Sequence, residues 1–205
     1  MDLAEKIAEH YNVLTGFKFI GEAIGKQEKE GRVSNYICSF EESYGYLTGS
    51  YMRGKKAVNA TSTFMICEMF AFYKTRGIRL IQKLEELYSS YGYCLNTLHS
   101  YEFPGSSGMA KIQSIMFKFH QGFNEIAGQK VINTEDYSNG INGLPKSDVM
   151  KFFYEGTDVS GSVVVRPSGT EPKLKTYISV ISKDNDNAKK IENLIVDDLR
   201  RIIEV

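Results

Sequence analysis

Apolar side chains recur at helical spacing at several points in the first half of the chain. Leu3, Ile7 and Tyr11 predict an opening helix, followed by a turn at Thr15-Gly16-Phe17-Lys18-Phe19-Ile20-Gly21. Tyr36–Phe40 reads as a buried strand, and the pattern breaks into a loop at Glu41–Tyr46. From Ala57 to about Arg76, Val58, Thr61, Met65, Met69 and Tyr73 share one side of a helix that Gly77 ends. A second amphipathic helix carries Leu80, Ile81, Leu84, Leu87, Tyr88 and Tyr91. Methionine and aromatic residues at this spacing predict core rather than a cofactor site.

Beyond Pro104–Gly108 the pattern changes. One helix, with Ile112, Ile115, Met116 and Phe119, precedes a polar, Asn- and Gly-rich stretch through Pro145 that is read as interior loops. Three strand-like runs follow: Val149–Glu155, Ser162–Arg166 and Lys173–Ile181. In the last, Leu174, Thr176, Ile178 and Val180 alternate with Lys175, Tyr177 and Ser179. Their short connections predict an antiparallel meander. A final helix from about Asn187 to Ile203 puts Ile191, Leu194, Ile195, Leu199 and Ile202 on one stripe. The expected organisation is a partial α/β domain at residues 1–98, then an α+β domain at 99–205 with covering helices. The first domain reads as truncated, because a helix in an α/β pattern normally covers a strand that precedes it.

Composition narrows the function classes. The chain has 205 residues, with Lys plus Arg and Asp plus Glu numbering 25 each, so the formal net charge is zero. No basic run offers a face to nucleic acid or to a membrane surface, and neither is expected as a partner. Cys38, Cys67 and Cys94 have no metal-type pair spacing and suit thiols in a reducing compartment, so a cytoplasmic location is expected. The first residues lack the basic patch and apolar stretch of an export signal, and no apolar run approaches membrane-spanning length.

The segment richest in chemistry is Arg166-Pro167-Ser168-Gly169-Thr170-Glu171-Pro172, between two of the strand-like runs. A guanidinium offers a planar fork for two phosphate oxygens, the Ser168 and Thr170 hydroxyls donate, and Gly169 lets backbone N–H groups approach an anion. Equally, these residue types make an ordinary hairpin loop with an exposed arginine. Glu41 and Ser43 are suited to hydrogen-bonding hydroxyls from a strand end, or form only an acidic loop. Lys175 reads first as a solvated strand lysine. Asp184-Asn185-Asp186-Asn187 is an Asp-rich cluster at a helix start; it lacks the pattern of a calcium loop and is read as a helix cap.

Four motifs in order carry a resemblance. Arg166–Pro172 with Lys173 resembles the phosphate-binding loop of the α-D-phosphohexomutases, the phosphoglucomutase/phosphomannomutase family. Thr15–Glu22 resembles a stretch of that family's third domain, and Phe40-Glu41-Glu42-Ser43-Tyr44-Gly45 resembles its sugar-binding loop. Tyr51-Met52-Arg53-Gly54-Lys55-Lys56-Ala57 lies where the family carries Arg-Asp/Glu-Lys-Asp before a long helix. The resemblance implies part of domain three at residues 1–98. At 99–205 it implies domain four, an antiparallel sheet similar to the TATA-binding-protein fold.

It further implies an isomerase-class phosphotransferase that interconverts hexose 1-phosphate and hexose 6-phosphate through a bisphosphorylated sugar. Glu41 and Ser43 would hold sugar hydroxyls, and Thr15 and Gly16 would line the floor of the site. Arg166, Ser168, Gly169 and Thr170 would hold the phosphate that is not transferred, with Lys175 behind them and Lys55 near the reacting phosphate.

The family's phosphoserine loop and its magnesium-binding Asp-x-Asp-x-Asp motif have no counterpart here. Mg2+ is therefore expected in the parent enzyme and not on this chain, the chain alone is expected to be inactive, and its partners would be a hexose phosphate and the N-terminal domains of the same enzyme. Gly54 and Lys56 replace the family's acidic neighbours of Lys55, which substitutes repulsion for an anchor. The Glu41-Glu42-Ser43 loop looks more like the glucose branch than the mannose branch. Two other readings stay open on the sequence: a sugar-phosphate-binding module without turnover, and a protein-interaction fragment.

Overall fold

The computed structural model describes residues 12–41, 45–49, 55–169 and 171–204, with side chains from residue 62 onward in the helix that begins at Lys55. The chain divides into two compact units, Met1–Glu86 and Leu87–Val205.

In the first unit, helix α1 (Phe17–Lys29) begins where the sequence suggests only a turn. Gly16 adopts φ 125° at its N-cap, a conformation that favours glycine, and its carbonyl accepts the Phe19 N–H at 3.0 Å. Ile20 is buried, and Lys26 and Lys29 in the last turn suit the negative end of the helix dipole. Strands β1 (Cys38–Glu41) and β2 (Gly45–Thr48) form an antiparallel pair with Glu41 opposite Gly45. The expected strand is therefore present but not buried: Phe40 is 65% exposed.

Helix α2 (Lys55–Lys74) stops as expected at Gly77, whose φ of 70° lets the Gly77 and Ile78 N–H groups return to the carbonyls of Lys74 and Tyr73 at 3.0 Å each. Met65 and Met69, read as core, are exposed, as are Phe64, Ile66, Phe70 and Phe72. A two-stranded hairpin has too little surface to cover a helix that is apolar on most sides. Helix α3 (Leu80–Tyr91) follows.

The second unit holds a six-stranded antiparallel sheet in the order β3-β8-β7-β6-β5-β4. Its strands are β3 (Tyr93–Glu102), β4 (Glu125–Ile126), β5 (Gln129–Asp136), β6 (Met150–Gly156), β7 (Val159–Pro167) and β8 (Lys173–Ser182). The meander β6-β7-β8 agrees with the sequence reading to within a few residues.

Strand β3 was not expected, and a division at 98/99 cuts it in two. It pairs with β8 along its whole length, from Tyr93 opposite Ser182 to Glu102 opposite Lys173, so the unit boundary lies before it. Strand β5 runs through the segment read as loops, with a register shift between Val131 and Asn133.

Helices α4 (Gly108–His120) and α5 (Asn185–Ile203) bury one face of this sheet. Ile112, Ile115, Met116 and Phe119 of α4 and Ile195, Leu199 and Ile203 of α5 share one core with Phe152, Val163, Val165, Leu174, Ile178 and Val180. The alternation read from β8 thus points its apolar set inward. Gly161 has a steric reason: a Cβ there would meet the Ser179 carbonyl and the Tyr154 hydroxyl, which donates to that carbonyl at 2.8 Å across β7. The Asp184 carboxylate accepts the Asn187 N–H at 2.8 Å, so the Asp-rich cluster is a helix cap, worth about 1 kcal/mol. Glu192 of α5 accepts from Thr97 at 2.9 Å and bonds His99 at 2.7 Å, tying the helix to β3.

Candidate functional site

The strands β7 and β8 place the candidate phosphate loop at their connection. Val163 and Val165 point into the core, so the alternation turns Arg166 to the opposite face. On β8 the same rule sends Lys175 and Tyr177 to that face. Arg166 stands directly opposite Lys175, and Tyr177 is diagonal to it, two positions along β8.

The loop is closed by its own backbone. The Ser168 N–H donates to the Lys173 carbonyl at 2.8 Å, and the Lys173 N–H to the Glu171 carbonyl at 2.7 Å. The Pro172 carbonyl accepts the Phe103 N–H at 2.9 Å, which fastens the loop to the end of β3. The Lys173 ammonium lies 3.1 Å from both Glu102 and Glu171, and these two carboxylates raise its pKa above the ordinary lysine value. Its charge is therefore neutralised locally.

Arg166 and Lys175 have no such partner: among the described residues, no carboxylate lies within ion-pairing distance of either. Arg166 instead directs its Nε and Nη2 groups to the Tyr177 hydroxyl, at 3.3 and 3.2 Å. Like charges directly opposite one another on a sheet repel. A bound anion would relieve that repulsion. Gly169 is exposed, and a Cβ built on it meets nothing within 4 Å, so the ground in front of its backbone is open.

Of the sequence-predicted residues, the second unit therefore brings together Arg166, Ser168, Gly169 and Lys175. Thr170 lies outside the described residues. In the first unit, Gly16 is the N-cap of α1 with Thr15 exposed beside it, and Glu41 is half-buried at the end of β1. Gly45, the partner of Glu41, sits so close to Phe17 that a Cβ would overlap its ring. That contact joins the start of α1 to the Glu41 end of the hairpin. Ser43 and Gly54 lie outside the described residues, and Lys55 is described only as the first residue of α2.

Sequence reasoning missed Tyr177 and Lys173. The signal for Tyr177 was present, since it lies two residues beyond Lys175 on the same face of an alternating strand. Among the described residues, no group of three or more His, Cys, Asp or Glu side chains could hold a metal ion. The described residues do not fit a magnesium site. None of the described helices is long and apolar enough to cross a membrane.

The family model for the phosphoglucomutase/phosphomannomutase C-terminal domain matches residues 146–197, which span β6, β7, the loop, β8 and most of α5. Residues 146–197 thus form a C-terminal domain of the phosphoglucomutase/phosphomannomutase family. It is 34% identical over 211 residues to a phosphoglucomutase of Staphylococcus epidermidis, covering 94% of this chain and 37% of that protein. It is 36% identical over 201 residues to a phosphoglucomutase of Staphylococcus aureus, covering 91% of this chain and 35% of that one. The chain thus spans little more than a third of the length of these phosphohexomutases. A solved structure of pp63/parafusin, a phosphoglucomutase from Paramecium in its open form, shares the fold with a TM-score of 0.60 at 17% identity, over 93% of this chain and 34% of that one.

Proposed function

We propose that this chain supplies the sugar-phosphate-binding part of a phosphoglucomutase that interconverts hexose 1-phosphate and hexose 6-phosphate through a bisphosphorylated sugar. The observation that carries this reading is the pair Arg166 and Lys175, opposite one another on paired strands with no carboxylate within ion-pairing distance among the described residues, beside the open backbone of Gly169.

In this proposal the Arg166 fork grips the phosphate that is not being transferred, and Ser168, Thr170 and the backbone at Gly169 complete the shell of donors. Lys175 adds charge from the neighbouring strand. From the family resemblance, Glu41 and Ser43 are assigned to sugar hydroxyls, Thr15 and Gly16 to the floor of the sugar site and Lys55 to the reacting phosphate. Gripping a remote phosphate converts binding free energy into orientation of the reacting hydroxyl or phosphoryl group, which is where most of the rate in phosphoryl transfer originates. The same grip serves both ends of the sugar once the intermediate turns over. The relatives' names support glucose as the hexose. The phosphoryl-accepting serine and the magnesium ion of the parent reaction are assigned to no residue described here. Three free cysteines support a reducing, cytoplasmic setting.

The test is a titration of glucose 6-phosphate against the wild-type chain, Arg166→Ala and Arg166→Lys, with glucose as control. A hydrogen bond to a charged group contributes about 1.5–3 kcal/mol, so Arg166→Ala should weaken binding by roughly ten- to a hundredfold. Arg166→Lys should recover only part of the loss, because an ammonium cannot make the bidentate contact. If both variants match a wild type that binds, the loop is only a turn.

A further inference from the structure

We propose that Tyr177 is the positioning residue of the phosphate site, its hydroxyl holding one edge of the Arg166 guanidinium so that the other edge faces the anion. This rests on the reading of Arg166 as the phosphate ligand.

A guanidinium has five N–H donors arranged on two usable edges. The edge formed by Nε and Nη2 is directed at one acceptor, the Tyr177 hydroxyl oxygen, at 3.3 and 3.2 Å. What remains is the end formed by Nη1 and the second hydrogen of Nη2, the fork that matches two phosphate oxygens. The guanidinium carbon also lies 5.7 Å from the centroid of the Tyr177 ring, within reach of its electron-rich face.

Strand pairing makes this contact hard to avoid. Tyr177 is opposite Val164 and Arg166 is opposite Lys175, so arginine and tyrosine are diagonal neighbours on one face of two paired strands, and a diagonal separation is within reach of long and aromatic side chains. Lys175, the direct opposite, repels the guanidinium and favours its swing toward the tyrosine. A free arginine loses the freedom of a long side chain when it grips a ligand. One already held by two hydrogen bonds and a ring loses less, so Tyr177 raises affinity by preorganisation without touching the ligand.

The experiment uses the full chain titrated with inorganic phosphate and with glucose 6-phosphate, in wild type, Tyr177→Phe, Arg166→Lys and the double variant, with thermal midpoints recorded alongside. Tyr177→Phe keeps the ring and removes only the hydroxyl. It should weaken binding of both ligands about three- to tenfold with little change in midpoint. In the Arg166→Lys background the same change should cost less than about twofold, since an ammonium has no planar edge for the hydroxyl to hold. NMR of the wild type should show the Arg166 Nε–H protected from solvent exchange, and Tyr177→Phe should remove the protection.

Equal weakening in both backgrounds, or wild-type binding by Tyr177→Phe while Arg166→Ala binds poorly, overturns the proposal and leaves the phosphate reading standing. An unprotected Nε–H in the wild type overturns it even if the variant does not fold. Wild-type binding by Arg166→Ala removes the phosphate reading itself, and the role of Tyr177 with it.

Discussion

Arg166 and Lys175 face each other across the β7–β8 ladder with no carboxylate beside either among the described residues. Like charges directly opposite one another on a sheet are destabilising unless an anion lies between them, which is the arrangement expected if anion binding, rather than stability, decided these residues. Replacing Lys175 with methionine should therefore separate the two properties. We expect Lys175→Met to stabilise the chain by about 0.2–1 kcal/mol in urea unfolding at low salt, and to weaken phosphate binding in the same preparation. A variant that lost stability and bound phosphate as wild type does would show Lys175 to be an ordinary surface lysine.

His120, at the end of α4, bonds Asp136 through Nδ1 and Asp148 through Nε2, each at 3.0 Å. Carboxylate oxygens only accept, so both bonds are made together only by the imidazolium, the form with two donors. Burial pulls the His120 pKa down, but the hydrogen bonds and charges of Asp148 and Asp136 outweigh it and hold the pKa above the ordinary histidine value. A raised pKa contributes stability that is complete below the unfolded value of about 6.5 and is lost as pH rises through the folded one. Asp136 acts at the other end. Burial raises its pKa, yet the hydrogen bonds of Ser138 and His120 leave it depressed, so its contribution is lost as pH falls through the carboxylate range. The clamp should be strongest between about pH 4.5 and 6.5. His120→Gln should lower stability there by about 0.5–1 kcal/mol, the partners being largely exposed, and should flatten the loss between pH 6 and 8. Parallel pH profiles for variant and wild type would refute this.

The boundary before β3 makes a quantitative expectation for folding. Residues 87–205 contain the whole sheet and both of its covering helices, so this piece should unfold cooperatively by itself. A piece made of residues 99–205 lacks most of β3 and leaves the β8 edge unpaired, and should be less stable by several kcal/mol or fail to fold. Comparing the two by circular dichroism and urea melts tests the boundary directly. Equal stability would mean that β3 is an accessory strand.

The 205-residue chain should show no mutase activity. Phosphoryl transfer needs a phosphoryl carrier and neutralisation of the charge that develops, and the sequence has neither the serine loop nor the aspartate motif of its family. A coupled assay with glucose 1-phosphate and magnesium should stay at background. Sustained conversion by chain free of contaminating mutase would overturn the reading of this chain as the sugar-phosphate-binding part alone.

What was legible in the sequence was whatever depends on near neighbours along the chain. The alternation of Leu174, Thr176, Ile178 and Val180, the Ile191, Ile195 and Leu199 part of the α5 stripe, the Asp184 cap and the stop at Gly77 each follow from dihedral preference and side-chain period within a few residues. Leu194, read with that stripe, is exposed, and Arg166–Pro172 stood out from an ordinary hairpin loop only by its family resemblance. Only the tertiary structure decided which strands pair. β3 reaches its partner across 89 positions, Tyr93 opposite Ser182, and β5 carries mostly polar residues near the edge of the sheet, where one-sided burial leaves little period to read. The exposure of Met65 and Met69 was hidden for the same reason, since periodicity reports that a face is apolar and not whether anything covers it. Tyr177 lies between the two cases. Its face was readable from β8 alone, but its hold on Arg166 depends on the register of β7 against β8, and a shift of one residue would turn one of the two side chains to the opposite face of the sheet.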